Sequence, residues 1–251
     1  MRRVVTPNPT EPLPVELETI GWNPDQEPID RPQGYPCFHW LHTVEGEGEL
    51  EAEGLSWRLP PRSGVLLYPD MPHRYRAKTA VWQTAYVTFA GKTAFEWIRS
   101  MLGPRTERLQ WDAGDDRISA QWERMLESAE TGTDRSGWEL SAELYRFLTL
   151  LKIAGRTDNR PSMSRRMEKM RNLLDWLETQ YDDPELSLAD MAGKLGVGER
   201  QLNERFRLLF GQTAYGYLIG LRLRKAKEKL PVLTGMTVAE IGTAVGFRDP
   251  S

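Results

Sequence analysis

The feature that most constrains this chain of 251 residues is an internal repeat near its carboxyl end. The segment 187–197 (SLADMAGKLGV) and the segment 237–247 (TVAEIGTAVGF) lie 50 residues apart and match in residue type at nearly every position. Each copy runs from a hydroxyl residue, through an acid, to a glycine that is flanked by apolar residues. Two copies of one pattern predict two equivalent structural units.

Each copy has the chemistry of a helix that begins at a capping residue and ends in a tight turn. Ser187 and Thr237 can accept hydrogen bonds from the N–H groups of a first helical turn. The acid three residues later, Asp190 or Glu240, favours the positive end of that helix. The glycine that follows supplies a turn into a second helix, so the sequence predicts two helix-turn-helix units.

The helix after the first repeat is predicted to bury one face and to expose a polar one. Leu202 and Phe206, four residues apart, fit the buried face. The polar face can read base edges of double-stranded DNA, and basic residues beside it can meet phosphates. The residues predicted to contact DNA are Arg200, Gln201, Glu204 and Arg207. An ordinary helical hairpin with a solvated polar face is the alternative.

Charge is distributed along the chain in a way that favours the same partner. The whole chain has 33 basic and 36 acidic residues, a net charge of −3. From Arg160 onward there are 15 basic and 12 acidic residues, a net +3, which leaves −6 for residues 1–159. A helix predicted at about 214–230 is rich in these basic residues and is long enough to separate two recognition helices along DNA.

The amino-terminal half is predicted to form antiparallel β-structure. Side chains alternate with a period of two from Phe38 to Phe89, with separate strands expected at 73–76 and 81–89. The dipeptide Glu53-Gly54 is typical of a β-hairpin. Many short strands with such turns indicate a sandwich or a barrel. Eight of the 17 prolines lie in the first 36 residues, which predicts an extended arm.

After Gly91 the period changes to that of helices. A helix is predicted from Gly137 to Ala154, and its apolar residues cover more than one face. One face could pack on the β-structure and another on a second copy of the chain, which predicts a homodimer; burial of both faces within one subunit is the alternative. These apolar residues are Leu140, Leu144, Phe147, Leu148 and Leu151. The polar segment 155–164 is predicted to be a linker between domains over residues 1–154 and 165–251.

The carboxyl-terminal segments resemble the AraC/XylS family of bacterial transcription regulators, whose DNA-binding domain has two helix-turn-helix units joined by a long helix. The matching stretches are LSLADMAGKLGVGERQLNERFRLLFG, YLIGLRLRKAKEKL and TVAEIGTAVGFRDPS. The family pattern continues past Phe247 into a second recognition helix, so the resemblance predicts that the second unit is incomplete here, with Asp249 and Pro250 beginning that helix. Gly198 stands where the family usually has a serine cap, and Glu204 where arginine is common.

The amino-terminal half resembles the arabinose-type sensor of the same family, a cupin-like barrel with an arm that folds over a sugar. The resemblance is carried by the segments 29–34 (IDRPQG), 45–48 (EGEG), 66–69 (LLYP), 73–75 (HRY) and 82–89. It implies a sugar-like small-molecule effector. The ligand-binding residues that it implies are Asn23, Arg31, Tyr75, Thr84 and Tyr86. The implied fold class is α+β with two domains, a cupin-like β-barrel with flanking helices and an all-α helix-turn-helix domain.

Two other functions compete with that of a ligand-responsive regulator of carbohydrate-related genes. Many cupins are metal enzymes, and His39, His42 and His73 all lie in the predicted barrel. Such a site needs two inward histidines at i and i+2, whereas His39 and His42 are three apart and face opposite sides of a regular strand. We therefore expect hydrogen-bonded structural histidines, no metal, no cofactor and no enzymatic activity. The second alternative is an assembly module that does not bind DNA, because its second unit is incomplete.

The remaining composition indicates the compartment. The single cysteine, Cys37, cannot form an internal disulfide, and the first residues lack the apolar stretch of a signal peptide. No run approaches the ~20 apolar residues that span a bilayer. The sequence predicts a cytoplasmic protein without a membrane partner.

Overall fold

The computed structural model describes residues 1–7, 9, 11–132, 136–157, 160–231 and 235–248. The chain divides into two compact units, Met1–Met163 and Ser164–Ser251. Part of the predicted linker belongs to the first unit, because the backbone of Arg156 pairs with that of Gln110. Residues 158 and 159 of that linker lie outside the described residues.

One antiparallel sheet of eight strands dominates the described part of the first unit. Its central path runs in the order β1-β2-β7-β4-β6-β8, while β3 pairs with β7 and β5 pairs with β4. The strands are β1 (Arg2–Val5), β2 (Glu16–Asn23), β3 (Ile29–Arg31), β4 (Phe38–Ala52), β5 (Leu55–Leu59), β6 (Ser63–Leu67), β7 (His73–Ala90) and β8 (Arg108–Gln110). The predicted arm therefore contains a strand, β1, that is fixed to β2.

The longest strand, β7, corrects the prediction of separate strands at 73–76 and 81–89. It runs as one strand because it pairs with β4 along nearly the whole length of both. Register shifts at Thr43/Glu45 and Gly46/Gly48 accommodate irregularities in this pair without ending it. Pairing with β4 on both sides of residues 77–80 thus produces one strand where the local sequence pattern indicates two.

Alternation along β4 directs neighbouring side chains into two different cores. Trp40 packs on the face that the helices of the first unit cover. Leu41, the next residue, packs with Tyr75 and Trp82 on the interior face. Trp40, Leu41 and Trp82 are fully buried. The sheet therefore has a helix-covered face and an interior face, and β4 contributes to both.

Three helices follow β7 in the first unit: α1 (Ala94–Leu102), α2 (Arg117–Thr131) and α3 (Trp138–Ala154). The helix α3 packs against both α2 and β2. Because of this double contact, all five apolar residues on which the predicted homodimer rested are buried within one chain. Those residues therefore leave no second apolar face on α3 for a partner.

The second unit is helical, with α4 (Met163–Gln180) crossing its boundary. It continues with α5 (Leu188–Leu195), α6 (Glu199–Phe210), α7 (Ala214–Lys229) and α8 (Val238–Ala244). Its core joins α4 to α7 through Leu177, Met191, Phe206 and Leu218, all of them buried. Within the described ranges, no helix combines the length and the apolar character needed to cross a membrane.

Candidate ligand cavity and nucleic-acid interface

A cavity of about 450 Å³ opens on the interior face of the sheet, and we call it the barrel cavity. Four of the five predicted ligand contacts line it: Asn23, Arg31, Tyr75 and Tyr86. They come from β2, β3 and β7, so the pairing of β2 and β3 with β7 brings them together. A cavity of this size accommodates a small organic molecule.

The Arg31 guanidinium, which belongs to the wall of the barrel cavity, has an unused donor. Its Cζ lies 4.6 Å from the centroid of the Tyr35 ring. Its Nη1 is buried and has no hydrogen-bond partner among the described residues. The carboxylate of Glu18 accepts instead from Tyr35 Oη at 2.7 Å and from Thr88 Oγ1 at 2.6 Å. Because a buried N–H without an acceptor is costly, this site favours a group that supplies an oxygen.

Tyrosines and histidines form an aromatic wall beside Arg31. Tyr75 stacks on His73 with their ring centroids 6.0 Å apart, and Tyr86 meets His39 edge-on at 6.1 Å. Burial, with smaller effects of Arg31 and His73, lowers the pKa of His39 to about 3, so its imidazole is neutral at physiological pH. Burial also raises the pKa of Tyr75 to about 12, which keeps its hydroxyl protonated. These four rings are thus uncharged at physiological pH.

The expectation of hydrogen-bonded structural histidines holds only in part, because each of the three imidazoles has a ring nitrogen without a hydrogen-bond partner among the described residues. His39 Nδ1 and His73 Nε2 are buried and have no partner in the described part of the chain. His73 Nδ1 does form a hydrogen bond with the carbonyl oxygen of Met71 at 2.7 Å. The interior face therefore has hydrogen-bonding capacity that the protein does not use.

Thr84, the fifth predicted ligand contact, does not line the barrel cavity. Its side chain is fully buried, and its hydroxyl donates to Gln26 Oε1 at 2.7 Å. The same oxygen accepts from Asn23 Nδ2 at 2.7 Å, and Gln26 itself lines the cavity. Gln26 therefore lies between Thr84 and the barrel cavity. The sequence pattern does not identify Gln26 as a site residue, because Gln26 lies in a non-periodic loop between β2 and β3.

The described residues give the metal-enzyme alternative no ligand set. No group of three or more His, Cys, Asp or Glu side chains within these ranges could hold a metal ion. His39 lines the barrel cavity, whereas His42 accepts a hydrogen bond at Nδ1 from Trp40 Nε1 at 3.0 Å. The spacing of three along β4 thus separates the two imidazoles as predicted.

In the second unit, the first repeat forms the predicted helix-turn-helix. Ser187 Oγ accepts from the backbone N–H of Asp190 at 3.2 Å, and the Asp190 carboxylate accepts from the N–H of Ser187 at 2.9 Å. Thr237 and Glu240 form the same capping box at α8. Gly196 ends α5 with a φ of +64°, a conformation that favours glycine. Both repeats therefore begin with the capping chemistry that the sequence indicates.

The predicted DNA contacts share the exposed face of α6. Leu202 and Phe206 are buried on the opposite face. Arg200 Nε donates to Glu204 Oε1 at 3.0 Å, but the Arg200 side chain is 93% exposed, so this ion pair is weak and does not fix the guanidinium. The exposed residues at helical spacing are Arg200, Gln201, Glu204 and Arg207.

The helix α7 contains a buried arginine that the sequence does not distinguish from its exposed neighbours. Arg222 is 2% exposed; its Nε donates to the carbonyl oxygen of Tyr181 and its Nη2 to that of Asp183, both at 2.7 Å. A Cβ on Gly246, in the second repeat, would lie 2.7 Å from the same Tyr181 oxygen. Arg222 therefore holds the segment after α4 and is not available to DNA. The predicted helix start at residues 249–250 lies outside the described residues.

Comparison with protein families gives two matches that together span most of the chain. Residues 14–148 match the model of the AraC-like ligand binding domain. Residues 191–251 match that of a helix-turn-helix domain. The first match includes all lining residues of the barrel cavity except Met1 and Arg3. The second begins within α5 and includes the rest of the first repeat and the whole of the second.

The chain also matches individual proteins. The arabinose operon regulatory protein of Salmonella typhimurium is 24% identical over 226 residues, which cover 88% of this chain and 79% of that protein. The HTH-type transcriptional regulator CdhR of Pseudomonas aeruginosa is 33% identical over 72 residues, 29% of this chain and 21% of that protein. Among solved structures, ToxT from Vibrio cholerae aligns over 94% of this chain and 88% of its own with 12% identity and a TM-score of 0.35.

Proposed function

The chain belongs to the AraC/XylS family of ligand-responsive, DNA-binding transcription regulators, and we propose that it senses a sugar-like small molecule and controls carbohydrate-related genes. The observation that carries the choice of ligand is the unpartnered Nη1 of Arg31 beside the tyrosines of the barrel cavity. A polyhydroxylated ligand supplies oxygens to the guanidinium and C–H edges to the aromatic rings. The matched relatives that are named for the arabinose operon support the same class of ligand.

In this proposal the residues of the cavity have different roles. Arg31 donates to a ligand hydroxyl or ring oxygen, while Tyr75 and Tyr86 contribute ring faces and hydroxyls. Asn23 orients Gln26, and Thr84 supports the same amide from behind. Thr84 is therefore a positioning residue, whose loss should weaken ligand binding less than the loss of Arg31.

Calorimetric titration of the full chain with a panel of neutral sugars tests the ligand class. A sugar that binds the unaltered chain should bind Arg31→Ala more weakly by about 1.5 to 3 kcal/mol, the usual value of a hydrogen bond from a charged donor. Arg105→Ala, an exposed arginine outside the cavity, is the matched control and should leave the affinity unchanged. Equal affinity in Arg31→Ala would remove Arg31 from the site, and the absence of any binding sugar would refute the ligand class.

We propose that the exposed face of α6 reads DNA bases. Arg200 and Gln201 lie in the first turns of α6, where a recognition helix commonly meets base edges, and Arg207 lies toward its end, nearer the phosphates. Because the exposed ion pair with Glu204 is weak, Arg200 can leave it to contact a base. Selection of binding sequences from a random DNA library by the full chain would define a site for quantitative tests.

On that selected site, substitutions should separate base reading from phosphate contact. Arg200→Ala should relax the preference at one or two base pairs at a cost of about 1 to 3 kcal/mol. Arg207→Ala should weaken binding to all sequences and should reduce the slope of log affinity against log salt by about one unit. Arg105→Ala is again the control. A chain that selects no sequence would favour the assembly-module alternative.

We further propose that the chain forms a homodimer through a face of α3 other than the one formed by its buried apolar residues. Trp138 and Tyr145 lie seven residues apart on α3, and each is 51% exposed. Tyr145 also stacks on Trp97 of α1 with ring centroids 4.5 Å apart, which extends the aromatic surface. Large aromatic side chains left exposed on one helix face are typical of an interface.

Sedimentation velocity of the full chain tests this interface. The unaltered chain should sediment as a dimer at tens of micromolar, and Tyr145→Ser combined with Trp138→Ser should sediment as a monomer. Leu223→Ser, which alters an exposed apolar residue of α7, is the control and should remain a dimer. A monomeric unaltered chain would refute the proposal.

A further inference from the structure

A second cavity, of about 420 Å³, lies on the helix-covered side of the sheet, between β2, β4 and α2. Three indole rings and one imidazole contribute to its wall, from Trp22, Trp111, Trp122 and His42. We call it the indole cavity. It shares no lining residue with the barrel cavity, and no predicted site residue lines it.

The rings of the indole cavity are arranged around His42. The centroid of Trp111 lies 5.8 Å from that of His42, and the centroid of Trp122 lies 5.9 Å from it at an interplanar angle of 83°. Trp22 adds a partly exposed indole from β2. Several aromatic rings line one space, which favours a ligand with a positive charge because the faces of such rings attract cations.

The charges at the mouth of the indole cavity favour the same class of ligand. Two arginines line the mouth, but each is paired: Arg2 with Glu130, and Arg62 with Asp116 at 3.0 Å. Glu123 and Glu127 of α2 also line the cavity, and their charges act on Arg2 through space. The two arginines face four carboxylates, those of Glu123, Glu127, Glu130 and Asp116, so the net charge at this mouth is negative.

His42 adds one directed donor to the cavity. It is 2% exposed, and burial lowers its pKa to about 3, so the ring is neutral. Trp40 Nε1 donates to its Nδ1, which places the remaining proton on Nε2. Nε2 has no hydrogen-bond partner among the described residues, although the side chain lines the cavity. A ligand can accept a hydrogen bond from it.

We propose that the indole cavity is a second ligand site, which takes a small organic cation that also carries a hydrogen-bond acceptor. The cationic group lies against the indole faces with Glu123 and Glu127 at the mouth, and its polar substituent accepts from His42 Nε2–H. An occupant would contact the arm strand through Arg2. It would also contact Trp122, whose Nε1 donates to the backbone oxygen of Tyr86 at 3.3 Å, in the wall of the barrel cavity.

The first test is calorimetry of the full chain with choline, at low ionic strength, against the neutral isostere in which carbon replaces the quaternary nitrogen. Choline should bind with one site per chain and about 10-fold more tightly than the isostere. A desolvated cation–π contact is strong enough to account for a difference in affinity of this size. Tetramethylammonium, which lacks the acceptor, should bind more weakly than choline. No saturable binding of choline at tens of millimolar, or equal binding of the isostere, would overturn the proposal.

Variants then locate the site. Glu123→Gln combined with Glu127→Gln should weaken choline binding about fivefold, whereas Glu96→Gln, an exposed glutamate of α1, should leave it unchanged. Trp22→Leu, which alters a partly exposed ring, should weaken it by at least about 10-fold while the circular dichroism spectrum stays the same. Arg31→Ala should have no effect; if it abolished binding, the cation would lie in the barrel cavity and the proposal would be wrong.

Discussion

Truncation of Arg222 should destabilise the helix-turn-helix unit more than truncation of any exposed arginine of α7. The guanidinium donates to the carbonyl oxygens of Tyr181 and Asp183, in the segment that follows α4. It also lies 6.0 Å from the centroid of the Phe247 ring, in the second repeat. Arg222→Ala removes both hydrogen bonds and leaves a void in the contact between α7 and these segments.

The magnitude follows from these contacts. A hydrogen bond from a charged donor contributes about 1.5 to 3 kcal/mol to stability. Because Asp183 is exposed and Tyr181 is partly exposed, water can reach both carbonyls after truncation, so the lower value applies to each bond. Two bonds give a loss of about 3 kcal/mol in the free energy of unfolding, a large fraction of the typical 5 to 15 kcal/mol of a domain. Arg222→Lys should lose about half as much, since one ammonium cannot reach both carbonyls with the geometry of a guanidinium.

Urea unfolding of the full chain, followed by far-UV circular dichroism, measures this effect in the transition of the helical unit. Arg224→Ala is the matched control, because Arg224 is exposed on the same helix and should cost less than about 1 kcal/mol. A loss below about 1 kcal/mol in Arg222→Ala, or an equal loss in the control, would refute the role assigned to the two carbonyl contacts.

Three other perturbations follow from the same structure. Burial lowers the pKa values of His39 and His42 to about 3, so below about pH 6.5 the unfolded chain binds protons that the native state does not, and stability decreases as the pH is lowered. The loss in the free energy of unfolding between about pH 7.5 and pH 5 should be about 2 kcal/mol per histidine. In urea titrations at these two pH values, His42→Gln should remove the contribution of one histidine. Gly246→Ala should cost at least about 2 kcal/mol, because φ is +92° and the new Cβ would lie 2.7 Å from the Tyr181 oxygen, whereas Gly193→Ala, with open space around it, should not destabilise. Ser187→Ala should lower the thermal stability of the helical unit by about 1 kcal/mol, and an unchanged melting temperature would contradict the capping role.

The parts of this structure that the sequence predicted well depend on interactions between neighbouring residues. The capping box at Ser187 spans three residues, and the hairpin at Glu53-Gly54 is confirmed by positive φ angles of 52° and 73°. The opposite facing of His39 and His42 follows from strand geometry alone. In each case the sequence contains both partners of the interaction within a few positions, so a local pattern is sufficient.

The parts that the sequence did not predict depend on contacts between distant segments. The merging of β7 into one strand requires β4 as a partner, and burial of the α3 leucines requires both α2 and β2. The shielding of Thr84 requires the amide of Gln26, 58 residues away. The role of Arg222 depends likewise on carbonyls about 40 residues away, since a basic residue on a basic helix gives no local signal of burial.

The tryptophans show why function is harder to predict than fold. A sequence pattern places an aromatic residue in a strand or helix, but it does not distinguish a ring that fills a core from one that lines a cavity. Trp40 and Trp82 are fully buried, and the N–H of each donates to a protein partner, His42 Nδ1 for Trp40 and Thr43 Oγ1 for Trp82. Trp22 lines the indole cavity because β2 pairs with β7 and because α2, which contributes Trp122, packs against β2. The chemistry of the indole cavity thus arises from packing between segments that no local window contains, and it can be tested only with ligands.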